Sequence, residues 1–271
     1  MFGAALGDII GSRFEFDRGG KTKEFKLFTG KNYFTDDTVM TVGVADGLLK
    51  AGKDADEMTI KEYLIRSMQR FGRRYSYAGY GARFVYWVHT DNPKPYGSYG
   101  NGSAMRVSAV GWLYDTLERT REVARWSAEI SHNHLEGIKG AECTAAVIFL
   151  SRTGYDKDYI KEYVVREFGY DLSESLDELR KRHEHLESCQ DSLPKALVSF
   201  FTGNSYEDVV RNAVSLGGDT DTLGAIAGGM AEGFYEIPDG IVSQGKRFLP
   251  DDLKNVLSQI ETDREGRKCN D

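Results

Sequence analysis

The sequence predicts an all-α protein, and three observations support that prediction. Apolar residues recur with the spacing of one helix face: Ile60, Tyr63, Leu64, Met68 and Phe71 fall at positions i, i+3, i+4, i+8 and i+11. Alternating apolar and polar residues, which indicate a half-buried strand, are almost absent. The chain also has only 5 prolines, which suits a helical protein because proline removes a backbone donor from a helix.

The same periodicity places the helices in order along the chain. A glycine-rich apolar segment forms the first helix, and two later helices begin directly after runs of Asp and Thr, residues that favour helix N-termini. Only residues 24–27 and 84–88 are compatible with short extended pieces. Helices are expected over residues 4–12, 37–49, 60–71, 103–114, 121–130, 135–151, 159–168, 176–187, 193–200, 206–216, 221–234 and 251–260.

The organisation predicted is one domain over residues 1–261, followed by a polar tail over residues 262–271. No linker rich in proline or serine divides the chain, and no internal repeat is present. The longest segments without helical period are residues 16–34 and 73–102. Long loops in compact domains are often functional, so these two segments are the first places to look for a ligand site.

The charge and cysteine content exclude several classes of protein. With 35 basic and 42 acidic residues, the net charge is −7, which argues against nucleic acid or an anionic membrane as the main partner. The 3 cysteines form no metal-binding spacing and no disulfide framework. A cytoplasmic protein without a membrane anchor is therefore expected, and we expect a monomer while leaving the oligomeric state open.

Two acidic clusters are the strongest chemical signal. Thr35-Asp36-Asp37-Thr38 and Asp219-Thr220-Asp221-Thr222 each precede an apolar helix. One interpretation is helix capping, which Thr and Asp provide. Capping does not require several adjacent carboxylates, which repel one another. Hard divalent cations such as Mg²⁺ take oxygen ligands, so the alternative is a site for two ions that both clusters share.

Three further features could contact a ligand. The run Gly97-Ser98-Tyr99-Gly100-Asn101-Gly102 precedes a predicted helix, an arrangement that binds phosphate through backbone N–H groups but that also occurs in ordinary turns. His132 lies at a helix junction, where a capping or ligand-contacting role is the better expectation. Glu15 follows the glycine-rich opening helix and, taken alone, reads as an exposed glutamate.

In combination, these motifs resemble the ADP-ribosylglycohydrolase family. The segments GAALGDIIGSRFE, FTDDT, GSYGNGSAMR, SHNH and GGDTDTLGAIAGG occur in that order and extend from about residue 3 to residue 240. The resemblance implies an orthogonal helical bundle with a binuclear Mg²⁺ or Mn²⁺ site. It also implies cleavage of the bond between C1″ of the distal ribose of ADP-ribose and an acceptor.

The resemblance further assigns a role to each candidate residue. It implies that Glu15 lies on a mobile flap, that residues 97–102 hold the diphosphate and ribose, and that His132 contacts ADP-ribose. Glu15, Asp36 and Asp37 are then the candidates for accepting a proton from the attacking water. The implied metal ligands are Thr35, Asp36, Asp37, Asp219, Asp221 and Thr222.

The expected function is thus the reversal of mono-ADP-ribosylation, with ADP-ribose or an ADP-ribosylated protein as the ligand. Two alternatives stay open at this point. The enzyme could hydrolyse a small ADP-ribose metabolite, since the segments that would determine the acceptor match no one subgroup. The chain could also be a non-catalytic ADP-ribose-binding module, although oxygen donors at all six ligand positions disfavour that alternative.

Overall fold

The computed structural model describes residues 1–18, 20–182 and 186–268, and within these ranges the regular structure is helical, with no β-strand. Short 3₁₀ helices span Ser12–Asp17 and Lys246–Phe248. The α-helices are α1 (Gly3–Gly11), α2 (Asp36–Ala51), α3 (Glu57–Arg74), α4 (Ala82–His89), α5 (Gly102–Met105), α6 (Ser108–Leu113), α7 (Leu117–Glu129), α8 (Leu135–Arg152), α9 (Lys157–Phe168), α10 (Leu176–Lys181), α11 (Cys189–Thr202), α12 (Tyr206–Val214), α13 (Thr220–Phe234), α14 (Asp239–Gly245) and α15 (Asp251–Lys268).

The all-α prediction is confirmed, and the differences are local. Residues 84–88 are not extended: they belong to α4, which buries Phe84, Trp87 and Val88 on one face at helical spacing. Residues 24–27 form no strand. The single helix expected over residues 103–114 is divided into α5 and α6 at Arg106 and Val107, where the Arg106 side chain turns inward to donate to the Ser127 carbonyl oxygen.

Two helix ends also differ from the sequence expectation. The helix expected over residues 176–187 ends at Lys181, and residues 183–185 of that expectation lie outside the described residues. Helix α15 continues to Lys268 instead of ending at residue 260. The division of the chain into a domain and a tail at residue 262 stays a prediction. Helix α14 was not predicted, because it is short, carries two glycines and has no clear apolar period in the sequence.

The closest helix contact in the described structure joins α1 and α13. Each residue of α1 is buried, and its glycines at positions 3, 7 and 11 face α13 as an antiparallel stripe. A Cβ at Gly3 would lie 2.5 Å from the Gly228 carbonyl oxygen, and a Cβ at Gly7 or Gly11 would overlap the backbone of Gly224 or Thr220. Only glycine permits this backbone approach.

Helix α13 forms the centre of the bundle, with α1, α8, α11 and α12 packed around it. Every residue of α13 from Thr220 to Glu232 is buried, as expected for a helix that is covered in all directions. Helices α2 and α3 pack together beside this centre, as do α7 and α8. None of the helices that the structure describes combines the length and the apolar composition that crossing a bilayer requires.

Replacing Gly7 by alanine should destabilise the fold. Because the added methyl group would overlap the Gly224 backbone, we expect Gly7→Ala to lower the free energy of unfolding by about 1–3 kcal/mol, as for other overpacked cores. Gly229→Ala on α13 is the matched control, since its Cβ would lie 3.4 Å from Ser108 Cβ and 3.6 Å from Ala4 Cβ. That change should be neutral or stabilising by about 0.5–1 kcal/mol. Equal denaturant midpoints for the two variants would contradict the packing described.

Candidate active site

A cavity of about 370 Å³ lies where the N-termini of α2 and α13 meet the loop that precedes α5. The volume is in the range of small-molecule sites. The structure brings most of the predicted site residues to its wall: Glu15, Asp36, Asp37, Ser98, Gly100, Asn101, Gly102, His132, Asp219, Asp221 and Thr222. Thr35 is buried behind this wall, and Tyr99 points outward with 54% of its surface exposed. Gly97 lies at the start of the loop, outside the cavity wall.

Sequence reasoning missed other residues of the cavity wall. They are mainly aromatic, glycine and charged residues whose local sequence gives no chemical signal. Arg106 is the last residue of the segment GSYGNGSAMR, but the sequence assigns it no role. The additional residues are Phe16, Gly79, Gly81, Ala82, Arg83, Phe84, Tyr96, Met105, Arg106 and Glu187.

Asp8, on α1, organises the floor of the site and was not predicted. Its carboxylate is fully buried. It accepts hydrogen bonds from the backbone N–H groups of Thr35 (3.0 Å) and Thr38 (3.1 Å), and from the hydroxyl groups of both threonines. Asp8 therefore fixes the first turn of α2 relative to α1. A lone aspartate in an otherwise apolar helix was the available sequence signal.

Hydrogen bonds connect the two acidic clusters and the glycine loop. Thr222 Oγ1 donates to Asp37 Oδ2 over 3.1 Å, which joins α13 to α2. Asn101 Nδ2 donates to Asp219 Oδ2 over 2.7 Å, which joins the loop to the start of α13. The three motifs, which are far apart in sequence, therefore form one site.

The hydrogen bonds at the helix N-termini show which residues of the two clusters act as helix caps. Thr35 caps α2, because its hydroxyl accepts from Asp37 N. Asp219 occupies the N-cap position of α13, but its side chain makes no capping hydrogen bond. Capping thus explains Thr35, whereas it explains neither carboxylate of the second cluster. Asp219 accepts from Asn101 instead, and one oxygen of Asp221 has no partner in the described structure.

The carboxylates lie in surroundings that disfavour several negative charges. Burial is the main cause, and repulsion from the nearby Asp8 and Asp219 a further cause, of a pKa of Asp36 that is raised to about 8. Burial, together with neighbouring carboxylates, also holds the pKa of Asp37 and of Asp221 well above the ordinary range. A cation among these groups would remove the repulsion.

The donor set fits a hard divalent cation. Asp37 Oδ1 and Asp221 Oδ1 are buried and have no hydrogen-bond partner among the described residues, and an unsatisfied buried oxygen is costly without a ligand. In the described ranges no group of three or more His, Cys, Asp or Glu side chains is arranged so that these residues alone could hold a metal ion. The available donors are instead a mixed set, in which carboxylates from two helices are combined with threonine oxygens. Such a set of oxygen donors suits Mg²⁺ or Mn²⁺.

Glu15 lies on a strained segment at the edge of the cavity. Its backbone leaves the 3₁₀ helix, and the following residue, Phe16, has a φ of 54°, which is rare for a bulky residue. Phe16 N donates to the Gly218 carbonyl oxygen over 2.7 Å. Burial and the nearby Asp219 raise the pKa of Glu15. The side chain is half-buried and faces the cavity, so it is not simply an exposed glutamate.

Two glycines of the loop, Gly100 and Gly102, lie close to neighbouring groups. A Cβ at Gly102 would lie 3.1 Å from His132 Nε2, and a Cβ at Gly100 would lie 3.5 Å from the Glu187 carbonyl oxygen. The loop is held by Asn101 N, which donates to Glu187 O over 3.1 Å. Gly97, with a φ of 66°, donates to Asn133 Oδ1 over 2.7 Å. A rigid loop of this kind permits close approach of a ligand to backbone.

Comparisons with known proteins agree with this arrangement. The model of the ADP-ribosylglycohydrolase family matches residues 1–268. The human protein named ADP-ribosylhydrolase ARH3 is 26% identical, and the alignment covers 87% of this chain and 84% of that protein. The Pseudomonas putida protein named ADP-ribosylarginine hydrolase Tri1 is also 26% identical, with coverage of 88% and 70%.

A solved structure described as an ADP-ribosylglycohydrolase-related protein complex has the same fold. It superposes with a TM-score of 0.73 at 22% identity and covers 97% of this chain and 95% of its own. The family match extends over every motif that forms the cavity. The chain belongs to the ADP-ribosylglycohydrolase family.

Proposed function

We propose that this protein hydrolyses the glycosidic bond between C1″ of ADP-ribose and an acceptor, in a reaction that depends on Mg²⁺ or Mn²⁺. The acceptor we propose is a modified protein side chain. The observation that supports the proposal most directly is the joining of two acidic clusters and a glycine loop in one cavity. The match to a family of ADP-ribosyl hydrolases supports the same reaction.

The residues that would hold the ions are those of the two clusters: Thr35, Asp36, Asp37, Asp219, Asp221 and Thr222. When bound, divalent ions would orient the hydroxyl groups of the distal ribose and make a water molecule more acidic. Asp8 has no direct part in this chemistry, because its carboxylate is occupied by Thr35 and Thr38. Its role is to hold the α2 cluster in place.

The remaining residues of the cavity would bind and orient the substrate. The loop over residues 97–102 presents backbone to the diphosphate and the adjacent ribose, which balances anionic charge without a lysine. Fixing the ribose near the acidic clusters lowers the entropic part of the activation free energy of hydrolysis. As the bond between C1″ and the acceptor breaks and water adds to C1″, a carboxylate among Glu15, Asp36 and Asp37 would accept the water proton, and a protonated carboxyl group of the site would donate a proton to the departing acceptor atom.

Parallel hydrolysis assays would test the proposal. Arginine-linked, serine-linked and small-molecule ADP-ribose conjugates are each incubated with the protein, once with Mg²⁺ or Mn²⁺ and once with excess chelator. We expect release of ADP-ribose from a protein conjugate with the ion and none with chelator. Release only from a small-molecule conjugate would overturn the acceptor that we propose. Binding of ADP-ribose without release from any conjugate would indicate a non-catalytic module.

Asp221→Asn should separate metal binding from helix capping. The change removes a proposed metal ligand, so we expect loss of turnover. In chelator it also reduces the repulsion among the carboxylates, so the melting temperature of the variant should equal or exceed that of the wild type. Mg²⁺ at about 100-fold above its Kd should stabilise the wild type by about 2.7 kcal/mol and the variant by much less. Thermal melts with and without Mg²⁺ measure both effects.

Asp156→Asn is the control for this variant. Asp156 caps α9 far from the site by accepting from Tyr159 N, and asparagine caps about as well as aspartate. That variant should retain both activity and the Mg²⁺-dependent stabilisation. Full activity of Asp221→Asn would leave the acidic cluster without a catalytic role.

Glu15→Gln should lower turnover without affecting folding. Glu15 makes one weak ion pair, 3.8 Å from Arg18 Nη1, so we expect a change in the free energy of unfolding within about 0.5 kcal/mol. ADP-ribose affinity should be retained, since the loop is unchanged. Single-turnover rates and thermal melts provide the measurement, with exposed Glu24→Gln as the control. A wild-type rate for Glu15→Gln would remove this residue from the mechanism.

Gly102→Val should weaken ADP-ribose binding. Already the first added carbon would lie 3.1 Å from His132 Nε2, so the branched side chain must displace the histidine or fill the cavity. Isothermal titration of ADP-ribose is the measurement, and Gly102→Ala should show a smaller loss of affinity. The Mg²⁺-dependent rise in melting temperature should persist, because the acidic clusters are untouched. Wild-type affinity in Gly102→Val would reduce the loop to an ordinary turn.

A further inference from the structure

Arg106 is a buried cation without an acidic partner among the described residues. It is 1% exposed, and its Nη2 donates to the Ser127 carbonyl oxygen and to Ser131 Oγ, both over 2.9 Å. Burial lowers its pKa to about 10, so the side chain stays positively charged at neutral pH. It lies in the cavity wall, and its buried Nε has no hydrogen-bond partner in the described structure.

The Ser131 hydroxyl connects this cation to His132. Ser131 is fully buried, and its Oγ lies 2.8 Å from His132 Nδ1. Arginine can only donate, so Ser131 Oγ accepts from Arg106. If it also accepted from Nδ1, the hydroxyl proton would have no acceptor, a costly state in a buried site. The arrangement that satisfies every group has Ser131 donating to His132 Nδ1.

This hydrogen bond determines what the other nitrogen of His132 can do. With Nδ1 as an acceptor, a neutral ring carries its proton on Nε2. The ring is neutral, because burial and the positive charges of Arg106 and Arg83 hold the pKa of His132 well below its usual value. Nε2 lies on the side of the ring that faces the glycine loop, as the position of a Cβ at Gly102 shows.

We propose that Arg106 is a positioning residue that acts through Ser131 to hold His132 as the Nε2–H tautomer, which donates a hydrogen bond to a phosphate or hydroxyl oxygen of the ligand. The ligand part of this inference rests on the proposed function, because it takes ADP-ribose as the molecule in the cavity. The opposite tautomer would direct a lone pair at that oxygen, which repels a phosphate oxygen and allows a hydroxyl group to act only as a donor. The relay, which consists of Arg106, Ser131 and His132, therefore influences affinity through the position of the proton on His132.

Nitrogen NMR of the histidine rings tests the relay without any ligand. In ¹⁵N-labelled wild type, the His132 signals, identified by their loss in His132→Gln, should show a protonated Nε2 and an unprotonated Nδ1. In Ser131→Ala the Nδ1 partner is absent, so we expect a shift toward the Nδ1–H tautomer. Ser131→Thr keeps the hydroxyl and should restore the wild-type pattern. A protonated Nδ1 in the wild type would overturn the proposal.

Titration of ADP-ribose tests the consequence for binding. Loss of one hydrogen bond should weaken affinity about five- to tenfold in Ser131→Ala, with recovery in Ser131→Thr. The matched control is Ser127→Ala, one turn earlier, whose buried hydroxyl donates to the Ala124 carbonyl oxygen and does not reach His132. This substitution also removes a serine hydroxyl group, and it should leave the tautomer of His132 and the affinity for ADP-ribose unchanged.

The outcomes separate this inference from the proposed function. Equal affinity in wild type and Ser131→Ala would overturn the role of the relay in binding, whereas an equal loss in Ser127→Ala would attribute the effect to packing. If the wild type does not bind ADP-ribose, the proposed function fails and the ligand part of the inference fails with it. The NMR spectra then still decide whether Ser131, which accepts from Arg106, sets the tautomer of His132.

Discussion

The backbone contact between α1 and α13 is the constraint on which the site depends. Glycines on both helices let the two backbones touch along their whole overlap. Gly7 faces α13, and the next residue, Asp8, holds the first turn of α2. One helix thereby sets the position of the α2 cluster against the α13 cluster. A larger residue in the stripe would separate the helices and with them the two groups of carboxylates.

In the site that results, the protein does not provide hydrogen-bond partners for all of the buried polar groups. Buried polar groups in folded proteins nearly always have hydrogen-bond partners, yet one oxygen of Asp37 and one of Asp221 have none in the described structure. The neighbouring carboxylates repel one another, while Asp8, in the same region, is fully satisfied by two threonines. This contrast is what we expect if Asp8 stabilises the fold while Asp37 and Asp221 bind a ligand.

The sequence allowed the helical class and most helix positions to be predicted, because apolar spacing is a local signal. It failed where tertiary contacts decide the outcome. Helix α4 was missed because its aromatic face resembles a strand over five residues, and the helix over residues 103–114 is broken where Arg106 turns into the core.

Within the site, motif residues such as Asp37 and Gly102 were identifiable from local composition. Arg106 and Asp8 were not, because their roles depend on partners far away in the chain: Ser127 and Ser131 for Arg106, and Thr35 and Thr38 for Asp8. Glu187 lines the cavity through a loop whose sequence carries no recognisable motif.

We propose that the two acidic clusters hold two divalent ions between them. Anomalous X-ray scattering at the manganese edge, from crystals grown with Mn²⁺ and ADP-ribose, measures this directly. We expect two manganese peaks, in contact with carboxylates from the start of α2 and from the start of α13. Data that show bound ADP-ribose but no manganese peak between these helix ends would contradict it.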